Sequence, residues 1–533
     1  MEVRSEPGDE ARALLEAGRR RTFAIISHPD AGKSTLTEKI LLYSGAVLEA
    51  GAVKARGGRR GVTSDWMAVE RERGISVTSS VLQTTYRGAV LNLLDTPGHR
   101  DFSEDTFRVL TAVDAALMVL DAAKGIEAQT LRLFEVCRDH GVPILTFLNK
   151  MDRPGRSALE LVDEIEERLG LTPSPATWPI GETGSLSGLL DRRNGGLVEL
   201  RRTEHGSALG EERLSALPEV PPADLASALE ECELLEAAHG AFSTKAFLAG
   251  EQTPVFVGSA LTNLGVRQLL DAIVDLAPPP GPREDRFGVP RALEQPFSGF
   301  VFKIQANMNP DHRDHVAFVR CCSGRFRRGM TVTVAKTGRP FATKYAASLF
   351  GSERATLDEG WPGDVVGLVN ASELSIGDTL FEGDPVDFPP IPAFVPELFA
   401  RARALDSGRY KQFRKGMDQL EREGVVQVLD GTDDDPRPVI AAVGELQFEI
   451  FAHRMHHELG AEVELQRLPW RVARRTDERT ATELAPVPGC SVFVRRRDHV
   501  RLALFESLSW LEHCAARHPD WTLERPSGSA DVA

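Results

Sequence analysis

Over its first half the chain alternates short apolar runs with amphipathic segments. Residues 22–26, 89–94, 115–120 and 142–148 are continuous apolar runs bounded by polar residues, which predicts buried strands. Segments 36–43, 127–140 and 157–170 carry apolar residues at helical spacing, which predicts helices between those strands. Such alternation predicts a doubly wound, mostly parallel sheet with its ligand loops at the carboxyl ends of the strands. It lapses between about 181 and 250, where glycine and charge are enriched. That interval reads as an insertion, with a strand pair near 197–201 and an acidic helix near 225–238. A strand at 255–257 and a helix at 266–276 resume the sheet.

Pro278-Pro279-Pro280-Gly281-Pro282 is a stiff linker. From 295 to about 381, short strands (300–304, 317–322, 331–334) separated by turn residues predict an all-β domain, a barrel. A second proline-rich boundary, Phe388-Pro389-Pro390-Ile391-Pro392, closes it. Beyond lie an amphipathic segment at 407–423, strand-like runs at 425–429 and 439–443, and a second helix at 445–459, an α+β pattern. The expected organisation is an N-terminal extension (1–21) and a doubly wound α/β domain (22–280) carrying the insertion at about 181–250. A β-barrel domain (290–387) and a C-terminal α+β domain (393–533) with a frayed tail follow. A multidomain α/β protein of 533 residues fits that count.

Composition narrows the class. With 42% hydrophobic and 26% charged residues the chain is ordinary for a globular protein. Its net charge of −15 argues against a general polyanion binder, so any RNA contact needs a local basic patch. Candidate patches are Arg19 to Arg21, Lys54 with Arg56, Arg59 and Arg60, Arg325 with Arg327 and Arg328, and Arg495 to Arg497. The six cysteines form no CxxC pair and suggest neither a disulfide framework nor a metal site. A charged N-terminus without a signal-peptide apolar core, and no apolar stretch of membrane-spanning length, lead us to expect a cytoplasmic monomer with no membrane partner.

The chemistry gathers where the strands end. Ser27-His28-Pro29-Asp30-Ala31-Gly32-Lys33-Ser34-Thr35 stands between the first strand and the first helix. A strand, a tight loop ending Gly-Lys-Ser and a helix cradle phosphates: backbone N–H groups point inward, Lys33 reaches the β- and γ-phosphates, and Ser34 supplies a hydroxyl to Mg²⁺. The usual opening Gly of this loop is Ser27 here. Asp95-Thr96-Pro97-Gly98-His99 follows the second apolar run. Asp95 suits a ligand to a Mg²⁺-bound water, and Gly98 offers an amide to a γ-phosphate. Asn149-Lys150-Met151-Asp152 ends another strand. The Asp152 carboxylate can accept from N1–H and the 2-amino group of guanine, an edge adenine lacks, so GTP and GDP are the expected ligands. Asn149 can meet the purine edge, the Lys150 stem can lie along the ring, and Ser259-Ala260 can offer an amide to the base oxygen. Within Arg73-Gly74-Ile75-Ser76-Val77-Thr78, Ser76 is the hydroxyl expected to close on Mg²⁺, with Thr78 second.

These five pieces, in this order, resemble the translational GTPases. Arg-Gly-Ile-Ser and Asp-Thr-Pro-Gly-His separate the chain from Ras-like proteins, and a small residue at Ser27 is tolerated in that family. Further stretches resemble the bacterial family of peptide chain release factor three: Ser27-His28-Pro29-Asp30-Ala31-Gly32-Lys33, Thr63-Ser64-Asp65-Trp66-Met67, 247–256, 297–308 and His312-Arg313. The likeness runs from about Thr22 to Ala461. The resemblance implies a P-loop GTPase domain, His99 positioning the attacking water, and ribosome contact bringing it into place. It also implies departure of a class-one peptide release factor in the GTP state. Two alternatives stand beside this: a nucleotide-gated ribosome-binding module without useful turnover, and an elongation-type translocase. About 140 residues follow Pro390, room for roughly one domain, which disfavours the latter.

Overall fold

The computed structural model describes residues 8–46, 81–96, 103–200, 212–306, 315–350, 353–391, 395–431 and 437–524. Strands β1 (Arg20–Ser27), β2 (Val81–Tyr86), β3 (Ala89–Asp95), β4 (Ala115–Asp121), β5 (Ile144–Asn149) and β6 (Thr172–Pro175) come first. Strands β7 (Thr177–Ile180), β8 (Gly188–Asp191), β9 (Gly196–Leu200), β10 (Glu212–Ala216) and β11 (Gln252–Val257) follow. The main sheet runs β2-β3-β1-β4-β5-β11-β6. Its β2–β3 pair is antiparallel and the rest are parallel.

Helices cover both faces, which is why the strands read as unbroken apolar runs; all seven residues of β4 are buried. Successive side chains of β1 go to opposite sides. Ala24 and Ile26 pack with Phe107, Leu133, Val162 and Ile165. Phe23 and Ile25 pack with Leu36, Ile40, Leu269 and Ile273 on the other face. The helix Ala158–Leu169 is set off by a capping box, in which the Glu160 amide donates to Ser157 Oγ at 3.2 Å and Glu160 Oε2 accepts from the Ser157 amide at 2.7 Å.

Two features differ from the sequence expectation. The seventh strand, β6, is Thr-Pro-Ser-Pro. It lies at the sheet edge, where a proline's missing N–H leaves no ladder bond unmade. In the insertion, the expected strand pair is a four-stranded antiparallel sheet, β10-β9-β8-β7, flanked by the helix Ala223–His239. Its strands are four or five residues long and contain Pro179 and Gly188, too short and too broken to show a period.

The second domain is an antiparallel, barrel-like sheet of eight strands centred on Ser298–Ala306 and His315–Ser323. Polar contacts dock it against the first: Arg20 Nε lies 2.8 Å from Asp364 Oδ1, Asn92 Nδ2 donates to the Gly363 carbonyl at 3.0 Å, and Arg320 meets Asp114 at 2.6 Å. The third domain is a seven-stranded antiparallel sheet. The helices Tyr410–Arg422 and Glu445–His457 cover one part of it, through Phe413, Met417, Phe448 and Phe451. Four of its strands lie beyond residue 461 and flank the three earlier ones in the sheet, one on one side and three on the other. The helix Ser103–Leu110, which follows the 95–99 motif, touches both later domains. Its Asp105 lies 3.5 Å from Lys303 of the second, and Arg108 Nη1 donates to the Glu423 carbonyl of the third at 3.5 Å.

Candidate nucleotide site

The parallel register brings five strand ends to one edge. Ile25 pairs with Asp95, Ser27 with Val119, Asp121 with Asn149, and Val257 with Leu148. The 27–35 loop leaves β1 there and becomes the helix Lys33–Tyr43. It turns through Asp30 at φ 66° and Gly32 at φ 100°. A Cβ on Gly32 would come within 2.3 Å of Asn149 Nδ2, so only glycine fits. Ser27 is fully buried and its hydroxyl donates to the His28 carbonyl at 3.0 Å, a compact substitute for glycine. His28 is buried too, and its ring nitrogens have no partner. Burial holds its pKa below the ordinary imidazole value. Pro29 is half-buried; Asp30 and Ser34 are exposed and Thr35 is half-buried.

Lys33 is buried, donates to the Thr96 carbonyl, and lies 3.9 Å from Asp95 Oδ1. Burial lowers the Lys33 pKa and raises that of Asp95; mutual attraction offsets this only in part. Asp95 Oδ1 has no hydrogen-bond partner. A buried cation and a buried carboxylate, each short of counter-charge, suit a ligand that brings phosphates and a divalent cation together. Thr96 Oγ1 donates to the Ile25 carbonyl at 2.6 Å, tying the start of the 95–99 segment to β1. Pro97, Gly98, His99, Ser76 and Thr78 lie outside the described residues, as do Thr63 to Met67.

Asn149 joins the two halves of the site. Its Nδ2 donates to the Ala31 carbonyl at 2.8 Å, and its Oδ1 accepts from the Ala260 amide at 2.8 Å. Lys150 takes φ 66° and donates to Asp121 Oδ2 at 2.7 Å. Burial acts to raise the Asp121 pKa, but the Lys150 hydrogen bond, the Ala123 amide and the Lys150 charge hold it below the ordinary range. Asp121 was not among the residues expected at the site. Its position at the end of an apolar strand was the available signal. Buried Met151 donates its amide to the Gly258 carbonyl at 3.1 Å, and Asp152 Oδ1 is buried with no partner. The Ser259 amide donates to the Leu264 carbonyl at 3.0 Å. Both Ser259 and Ala260 amides therefore already have protein acceptors, and a base oxygen would have to share Ala260 with Asn149.

Comparison with known proteins agrees with this geometry. Residues 18–279 match the family described as elongation factor Tu GTP binding domain. Residues 296–383 match elongation factor G domain 2, and 388–514 match the C-terminal domain of class II release factor RF3. The chain is 48% identical over 515 residues to peptide chain release factor 3 of Gloeobacter violaceus, covering 95% of this chain and 97% of that one. The chain belongs to the peptide chain release factor 3 family. It is 50% identical over 478 residues to the Rippkaea orientalis member, covering 88% of each, and 50% identical over 475 residues to that of Nitrosomonas eutropha, covering 86% and 87%. A crystal structure from Thermus thermophilus shares the fold, with a TM-score of 0.68 at 23% identity, covering 90% of this chain and 72% of that one. The family likeness, expected to end near Ala461, therefore continues to the last helix of the third domain. The chain is a GTPase of translation termination that works with the ribosome. Among the described residues no helix is long and apolar enough to cross a membrane.

Proposed function

We propose that the 27–35 loop seats the phosphates of GTP, that Asp152 reads guanine, and that His99 orients the water that attacks the γ-phosphorus. The new P–O bond forms as the β–γ bridging bond breaks, and GDP leaves with that electron pair. Lys33 and the loop amides stabilise the charge that shifts onto the leaving phosphate. Ser34, Ser76 and Asp95 would hold Mg²⁺, which when bound supplies charge neutralisation between the β- and γ-phosphates. Asn149 and Lys150 position the base. The observation that carries this reading is the pair of buried carboxylate oxygens without hydrogen-bond partners, Asp95 Oδ1 and Asp152 Oδ1, at and just beyond two strand ends on one sheet edge. An unpaired buried acceptor costs about 1–3 kcal/mol, and a ligand carrying matching donors or a cation removes that cost.

In the wider cycle the GTP-bound chain, acting as a cytoplasmic monomer, engages the ribosome after peptide release. It promotes dissociation of the class-one release factor and leaves on hydrolysis. The domain units proposed from the sequence (1–21, 22–280 with its insertion at 181–250, 290–387 and 393–533) would be the moving parts. The test is multiple-turnover GTP hydrolysis with ribosomes carrying a labelled class-one release factor, following phosphate and factor release together. His99→Ala is expected to lower turnover by at least a hundredfold while leaving GDP binding intact. Unchanged ribosome-stimulated turnover would remove His99 from the mechanism.

A further inference from the structure

We propose that the turn and first two turns of the helix Tyr410–Arg422, in the third domain, form a contact surface for an RNA sugar-phosphate backbone. The inference rests on the ribosome-binding reading and assigns it a surface. A chain with 63 basic against 78 acidic residues can hold RNA only where cations escape their own carboxylates. Among the described residues, most members of the basic clusters visible in the sequence do not escape. Arg19 and Arg20 pair with Glu16 at 3.2 and 2.6 Å, Arg325 with Glu359 at 2.6 Å, and Arg328 with Asp358 at 2.9 Å. Arg495 pairs with Asp498 at 2.6 Å and Arg496 with Asp430 at 2.7 Å. The cluster at 54–60 lies outside the described residues.

Arg409, Lys411, Arg414 and Lys415 are different. All four are exposed, and among the described residues none forms an ion pair. Lys411, Arg414 and Lys415 share one helix face by their three- and four-residue spacing, while Phe413 and Met417 anchor the opposite face in the core. Tyr410 stands among them 55% exposed, its ring stacked on Phe413 at 6.0 Å and 29°. Of the nearby carboxylates, Asp406 caps the turn, its Oδ1 accepting from the Gly408 amide at 2.8 Å, and Asp418, one turn further along the helix, pairs instead with Arg496 at 3.4 Å. Like charges at these spacings repel one another, so the free chain keeps the cluster at a cost that a polyanion relieves. Cations flanking an exposed, pre-stacked aromatic ring suit RNA, whose phosphates and bases meet both kinds of group.

The test compares the full chain with a variant carrying Arg409→Gln, Lys411→Gln, Arg414→Gln and Lys415→Gln, and with a charge-keeping variant, Lys411→Arg with Lys415→Arg. Affinity for purified ribosomes is measured from 50 to 200 mM KCl, and a photo-crosslinking side chain in place of Tyr410 identifies what it touches. The Gln variant is expected to bind at least tenfold more weakly, with the slope of log affinity against log salt reduced by roughly three. The Arg variant keeps both, GDP binding is unchanged in each, and the crosslink falls on RNA. Equal affinity and slope for wild type and Gln variant overturns this surface alone, as does a crosslink to an acidic protein. A wild-type chain that does not bind ribosomes overturns both this surface and the functional reading beneath it.

Discussion

Truncating Asn149 tests how the site is held together. Its side chain is 2% exposed and donates to the Ala31 carbonyl while accepting from the Ala260 amide, each at 2.8 Å. Both partner residues are themselves 1% exposed, so water does not replace what Asn149→Ala removes. Leaving a buried donor or acceptor unmatched costs about 1–3 kcal/mol, so two such groups cost roughly 2–6 kcal/mol, less whatever the loops recover by shifting. Against the roughly 5–15 kcal/mol that holds a domain folded, that is a large share. Urea unfolding of the nucleotide-free chain is expected to show a loss of about 3 kcal/mol, and titration with fluorescent GDP a weakening of at least a hundredfold. Asn149→Asp separates the two bonds, because a carboxylate still accepts from Ala260 but cannot donate to Ala31. It should lose affinity as well, since its second oxygen then faces a carbonyl. If Asn149→Ala stays within 1 kcal/mol of wild type and binds GDP normally, the crosslink between the phosphate loop and the 258–260 loop carries no weight.

Two more predictions concern the third domain. Burial pushes the Glu421 carboxyl up from its ordinary 4.5 to about 7, against the opposing pull of Arg496 and Arg497 and alongside the like charges of Asp418 and Asp430. The group therefore favours the folded state below pH 4.5, and that contribution fades as pH rises through 7; integrated, this is about 3 kcal/mol at most. Glu421→Gln should flatten this part of the stability-versus-pH curve measured from pH 4.5 to 8, and a curve parallel to wild type would refute the assignment. Gly424 ends the helix Tyr410–Arg422 at φ 74°, and a Cβ there would approach Arg108 Nη1 to 2.0 Å. Gly424→Ala is expected to cost about 1–3 kcal/mol in left-handed strain and to loosen the contact with the helix Ser103–Leu110, read as a lower melting midpoint and faster proteolysis between domains. A wild-type midpoint would show that the guanidinium moves aside freely.

What the sequence determined by itself was local. The phosphate loop is nine consecutive residues between a strand and a helix, so its chemistry is written in adjacent positions. Asp95, Asn149 and Asp152 announce themselves by ending apolar runs, and the two proline-rich linkers mark where cores must separate. The edge strand β6 was illegible because its prolines contradict strand propensity and only a sheet edge forgives them. Two late strands of the third domain join the sheet through segments distant in the chain, Val463–Arg467 through Leu398–Ala404 and Cys490–Arg495 through Gln427–Gly431, and no local period records that pairing. Tertiary structure alone brought Asn149 to Ala31 and Ala260, partners 118 and 111 residues away. It also decided the fate of the charges. Most of the described arginines in runs that looked available to RNA are paired with carboxylates brought to them by folding, whereas Arg409, Lys411, Arg414 and Lys415, inconspicuous as a string of letters, form no ion pair among the described residues. Ion pairing depends on a few ångströms in three dimensions, and spacing along a chain carries no information at that scale.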